Sequence, residues 1–329
     1  MTKFCLAIAT IFSLCWAAYA ASPQQEEVSK AFAYGADAAV NVFVRDELGR
    51  PVEGAAVDYS FWLCDLKRTT SSTGITDNAG KFLAKGKCNA DVHINVRKDG
   101  FYESRIERSV ASFRKTPLVE NGKWQPYGAE LPITLRRIVN PIPLEKHLIF
   151  KMKIPITNSW IGFDMSTESF VAPYGDGKES DFSIRFNWDG KIRKSYNGAS
   201  LDLRFPGLAG GYWHTPVVGS EFGGALSADT NANYISNFSF YEFKTNSGWK
   251  ENLFPNGGEL VVRTRCRLDS NGRLMEATYG QFSMLKFGWG GDGKGDLRLA
   301  YRRNPRVNDP NLEAMPKKNL WVPKRRIVR

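Results

Sequence analysis

Three histidines, His93, His147 and His214, are all the imidazoles this 329-residue chain has. A zinc peptidase needs two imidazoles and a carboxylate at set spacing, with one metal position left open. Val96, Phe150 and Val217 stand three places after the three histidines, where the glutamate would be. No serine has glycine both two places before and two places after it, so the nucleophile elbow of hydrolases is absent. Acidic residues are scattered, and no strand face collects the closely spaced Glu and Asp that glycoside cleavage uses. Residues 290–296, Gly-Gly-Asp-Gly-Lys-Gly-Asp, offer oxygens to a calcium ion but lack the alternating acids and closing glutamate of an EF-hand loop, and read as a hairpin loop. We therefore expect no catalytic residue, no cofactor and no metal site.

The aromatics point elsewhere. Gly210-Gly211-Tyr212-Trp213-His214 is glycine-rich, and Trp160 and Trp249 stand beside polar turn residues. Rings so poorly sheltered stack on sugar faces while polar neighbours bind hydroxyls. Trp160, Trp213, His214 and Trp249 are the candidate ligand-binding residues; the competing reading places these rings in, or capping, a sandwich core. The formal charge of +11 favours anionic partners such as acidic polysaccharides or lipid headgroups. Residues 317–329 hold six basic and no acidic side chains, a tail suited to an anionic membrane surface or simply to solvent. Arg263, Arg265 and Arg267 alternate with Thr264 and Cys266, which puts all three arginines on one solvated strand face and the Cys266 sulfur on the apolar side.

Lys3, then the apolar residues 4–18, then small residues at Ala18 and Ala20 form a secretory signal, with cleavage between Ala20 and Ala21. The apolar run is shorter than the ~20 residues that span a bilayer, and no later segment reaches that length. The expected product is secreted, periplasmic or in the cell envelope, where nucleic acid is not a partner. Processing leaves Cys64, Cys88 and Cys266. In an oxidising compartment a Cys64 to Cys88 bridge would stabilise by roughly 3 kcal/mol, and Cys266 reads as a buried, inert thiol.

These residues are carried by strands. Val40, Val42 and Val44 alternate with polar or exposed partners, and the turn residues 46–51 imply a hairpin-like return. A second extended run, 52–63, ends in Phe61 and Trp62; residues 74–82 hold a strand end, a tight turn and a restart; Val92, Ile94 and Val96 alternate again. In order, the turn Gly49-Arg50-Pro51-Val52-Glu53-Gly54-Ala55, the turn Gly74-Ile75-Thr76-Asp77 and the segment Val96-Arg97-Lys98-Asp99-Gly100-Phe101 resemble the carboxypeptidase regulatory-like, or transthyretin-like, β-sandwich domain. That resemblance implies an accessory module used for folding support, domain packing or, in some relatives, carbohydrate binding, and it brings no catalytic residues. It places the final strand at 131–139, after a polar excursion over 113–130 that, with the loop 65–73, would be a binding loop. Asp77 and Asp99 read as turn carboxylates.

Prolines 141 and 143 end this domain. Beyond them Phe182, Ile184, Phe186 and Trp188, then Leu201, Leu203 and Phe205, then Leu297, Leu299 and Tyr301 alternate with polar residues, and residues 260–268 and 273–287 flank the turn 269–272. Short segments of this half are similar to uncharacterised secreted bacterial proteins. The reading is all-β: signal 1–20, linker 21–35, regulatory-like sandwich 36–140, second sandwich or jelly roll 141–316, basic tail 317–329. The function expected is that of an exported, noncatalytic protein binding a glycan or another anionic envelope component. The alternatives are a carbohydrate-active hydrolase whose acids converge in space and a structural subunit of a surface assembly.

Overall fold

The computed structural model describes residues 22–63, 69–188, 198–207, 209–216, 224–245, 248–252, 258–290, 292–316 and 320–321. The segment expected to be a secretory signal, with Ala20 and Ala21, and Cys64 lie outside them. The chain is all-β and divides into two compact units, the first ending at Ile138 and the second starting at Val139.

In the first unit, valines at every second position drive Ala36–Asp46 into the centre of a sheet, where Val40, Val42 and Val44 are fully buried. This strand pairs antiparallel with Lys81–Cys88 and parallel with Ala129–Arg137, in register from Val40 opposite Ala129 to Asp46 opposite Leu135. A second, antiparallel sheet runs in the order Thr70–Ile75, Ala56–Phe61, Asp91–Arg97, Ser104–Ser109. Val57, Phe61, Val92, Ile94 and Val96 from this sheet meet the first sheet's valines, Leu131, Ile133 and Leu135 in one core. The sheets come close at Gly86, where a Cβ would lie 2.4 Å from the Phe61 ring.

Two expectations change here. The return after Val44 pairs only Arg45 with Pro51 before the chain crosses to the second sheet; Asp46 fixes the turn by accepting the Leu48 and Arg50 amides. The segment expected to be a linker is the helix Pro23–Tyr34, whose Ser22 and Gln25 cap each other reciprocally, and it packs Ala31 into the core and Phe32 against Trp124. Within the polar excursion Val119–Glu120 pairs with Lys123–Trp124, and buried Trp124 donates its Nε1–H to the Cys88 carbonyl.

The second unit is a sandwich of two sheets. One contains Gly211–Pro216, Gly258–Leu268, Leu274–Trp289, Gly295–Arg303, Glu145–Lys153 and Leu320–Trp321. The other contains Ser169–Phe170, Ile161–Asp164, Phe182–Trp188, Gly198–Arg204, Asn237–Thr245 and Gly248–Asn252. The alternating residues read from sequence fill the space between them, with Phe182 edge-on to Phe282 at 5.5 Å. Asp269 closes the expected hairpin by accepting the Asn271 and Arg273 amides, next to Gly272 at φ 78°. Within the basic tail, Leu320 and Trp321 add in parallel to Glu145 and Lys146.

The three arginines do not share a face. The pairing of Gly258–Leu268 with its neighbour slips between Thr264 and Arg267, and Arg265 takes φ 51°, which reverses the alternation. Arg263 stacks on Tyr234 at 3.9 Å, Arg265 turns to Asp164 and Asp181, and Arg267 reaches Glu276. Cys266 is half-buried beside the small cluster of Val261, Ala277, Tyr279 and Leu312, and burial pushes its thiol pKa up.

Candidate functional site

A hollow of about 570 Å³ opens on the outward side of the second sheet of the first unit. Because side chains alternate, the strands that bury Val57, Phe61, Val92, Ile94 and Val96 turn their remaining residues outward. Register lines these up in rows across four strands. Thr73, Asp58, Asn95 and Arg105 form one row, and Ser71, Ser60, His93 and Glu107 the next. Trp62 follows the strand Ala56–Phe61, its backbone held by the Asp91 carbonyl, and its ring lies 5.0 Å from that of His93 at 31°. The ring is 44% exposed, which excludes it from the core and leaves it bordering the hollow.

The charges balance locally. Asp58 accepts from Thr73 Oγ1 at 2.8 Å and pairs with Arg97, His93 Nε2 lies 3.7 Å from Glu107, and Arg105 lies 3.4 Å from Glu103. Asn95 Oδ1 is enclosed and has no hydrogen-bond partner among the described residues, and an enclosed acceptor without a donor is costly unless a bound group or water supplies one. A flat indole, the Arg105 guanidinium and the hydroxyls of Ser60, Ser71, Ser72 and Thr73 around one hollow form a set suited to a polyhydroxyl ligand: the ring covers a C–H face and the polar groups take the hydroxyls.

The residues singled out from sequence are not brought together. Trp160 is half-buried on the outward side of its sheet, with Arg185 and Arg204 guanidiniums 4.8 and 4.6 Å from its ring centre. Trp213 is half-buried against the cluster around Val261 and Tyr279, on the outward side of the other sheet. Their neighbours Ile161 and Tyr212 point into the shared core, so that core separates the two tryptophans and they form no common groove. His214 is exposed beside Trp213. Trp249 lies in the strand Gly248–Asn252, its side chain outside the description. Cys88 carries a free, fully buried thiol.

Close carboxylates do occur in the second unit, but as a structural group. Asp164 and Asp181 are 2% and 0% exposed and share Arg265. Asp164 also accepts from the Ser166 and Lys178 amides, and Asp181 from the Met165 amide and Thr264 Oγ1. Burial pushes the Asp164 carboxyl up, and its backbone hydrogen bonds and Arg265 bring it below the ordinary value. With every oxygen engaged, this pair is not placed to hand a proton to a ligand. Among the described residues no three His, Cys, Asp or Glu side chains converge as a metal would require. No helix there is long and apolar enough to cross a membrane.

No protein-family description matches the chain, and no curated protein does. Among solved structures it is similar to chlorocatechol 1,2-dioxygenase from Pseudomonas putida, at 14% identity over 31% of this chain and 61% of that one, TM-score 0.25. It is similar to 3-chlorocatechol 1,2-dioxygenase from Rhodococcus opacus 1CP, at 11% identity over 32% and 61%, TM-score 0.26. It is also similar to a shaft pilin from Lactobacillus rhamnosus GG, at 8% identity over 75% and 87%, TM-score 0.21. The chain thus spans about three-fifths of the length of the two dioxygenases. Likenesses this slight carry no argument about activity.

Proposed function

We propose that this chain is an exported binding protein whose first unit, a sandwich of the carboxypeptidase regulatory-like kind, recognises a glycan in the hollow beside Trp62. The observation that carries the reading is the exposed Trp62 at the edge of a hollow lined by Asp58, Ser60, Ser71, Thr73, His93, Asn95 and Arg105. The glycan reading made from sequence is kept, and its location moves from the loops of the second unit to a sheet face of the first.

The test is a glycan array with the full chain, followed by calorimetry on the best ligand with Trp62→Ala and Asn95→Ala. Removing the ring forfeits stacking and buried contact of about 1.4 kcal/mol or more, a tenfold or greater loss of affinity. A blank array, or unchanged affinity in Trp62→Ala, would refute the proposal.

A further inference from the structure

The outward face of the other sandwich holds a second arrangement. Across Phe182–Trp188, Gly198–Arg204 and Asn237–Thr245, Arg185 stands opposite Asp202, which stands opposite Ser239. Asp202 is saturated: Oδ2 accepts from Arg185 Nε and Nη2 at 3.1 and 2.8 Å and from Asn187 at 2.8 Å, and Oδ1 accepts from Ser239 at 2.7 Å. Arg185 is thereby neutralised. One step along the strand, Arg204 faces Ser183 and Asn237, both uncharged, and no carboxylate pairs with it among the described residues. Its guanidinium is 4.6 Å from the Trp160 ring centre, and the residue is exposed.

A guanidinium held against an indole has its plane oriented in advance while its in-plane N–H groups stay available, and those N–H groups match the two oxygens of a carboxylate. The serine and asparagine beside it suit sugar hydroxyls and add no opposing charge. We propose that Arg204, oriented by Trp160, binds the carboxylate of a uronic-acid residue in an acidic polysaccharide. The chain's net charge of +11 complements such a polymer and speeds its encounter. The proposal rests on the glycan-binding reading but on residues of the other unit, so the two fail separately.

The experiment titrates the full chain with a galacturonate oligomer, with its methyl ester, which keeps the sugar and removes the charge, and with sodium sulfate as a free oxyanion. The parent should bind the acid at least tenfold more tightly than the ester, and far more weakly at high salt. Arg204→Gln, with an unchanged melting profile, should lose that tenfold preference and leave ester binding unaltered. Arg204→Lys should fall between, since an ammonium keeps the charge but loses the planar fork. Sulfate should compete only at much higher concentration than the oligomer, because it engages the guanidinium without the flanking hydroxyl partners. The proposal is overturned if Arg204→Gln binds the acid as tightly as the parent, if lysine substitutes fully, if sulfate competes as well as the oligomer, or if Trp62→Ala rather than Arg204→Gln removes uronate binding.

Discussion

Arg265 is a residue whose removal should cost the second unit heavily. Its guanidinium donates to Asp164 Oδ1 at 2.8 Å and to both oxygens of Asp181 at 2.9 Å, and the two aspartates are 2% and 0% exposed. Arg265→Ala therefore strands two buried carboxylates, a change that typically costs about 3–5 kcal/mol. Each aspartate keeps backbone donors, from Ser166 and Lys178 for one and Met165 for the other, which places the expected loss near ~3 kcal/mol. Backbone geometry supplies a second, independent magnitude. Arg265 sits at φ 51°, where an L-residue pays roughly 1–2 kcal/mol that glycine does not, while glycine forfeits roughly 0.5–1 kcal/mol through its freer unfolded chain. Arg265→Gly should therefore be more stable than Arg265→Ala by up to about 1.5 kcal/mol, although it has lost the same ion pairs. Urea unfolding of the full chain, followed by tryptophan fluorescence and circular dichroism, measures both differences. A loss below ~1 kcal/mol in Arg265→Ala would mean the group is worth no more than a surface pair. A glycine variant weaker than the alanine one would refute the left-handed bulge.

Two further outcomes follow from buried groups. Burial pushes the Glu145 carboxyl up, but the His147 ring 3.9 Å away and the Arg303 guanidinium at 2.8 Å bring it from 4.5 down to about 2; stability is present above pH 4.5 and lost as pH falls toward 2, so Glu145→Gln should cost about 2–3 kcal/mol at pH 7 and little at pH 2. A penalty in denaturant unfolding that stays flat across that range would contradict this. The Cys88 thiol is pushed by burial, and then by Asp91, up to about 12, so it should resist a thiol reagent at pH 8 until the chain is unfolded, as followed by mass mapping of the labelled peptide; rapid labelling of the native protein would count against its burial.

Much of the fold was legible because strand burial has a period of two, which a single segment displays by itself. The runs ending at Val44, Val96, Trp188, Phe205 and Tyr301 each declared which side chains face inward, and those residues form the cores or, for Trp188, pack against one. Turn chemistry was equally local: Asp77 accepts the Ala79 and Lys81 amides within its own loop. The helix Pro23–Tyr34 had a local sign as well, Ser22 with Gln25 around Pro23, which outweighs the absence of a strong apolar stripe. The bulge at Arg265 had none. Residues 260–268 alternate without interruption, and only the neighbouring strand and the buried carboxylates, more than eighty positions away in sequence, determine where the arginine turns.

The same reason explains why the hollow beside Trp62 could not be read beforehand. Glycine content near a tryptophan reports on the backbone next to it, yet exposure of a ring depends on which strands flank it. Gly210 and Gly211 precede a Trp213 that packs on Tyr279 and Val261, while Trp62, with no glycine beside it, stays open to solvent. The hollow's first row joins residues 73, 58, 95 and 105, one from each of the strands Thr70–Ile75, Ala56–Phe61, Asp91–Arg97 and Ser104–Ser109, which lie side by side in an order that differs from their order in the chain. What each strand does announce is its outward set, Asp58 and Ser60, or His93, Asn95 and Arg97: polar groups able to donate or accept, next to an aromatic. A polar face of this kind is written as fragments on separate strands, and pairing register joins them into one surface.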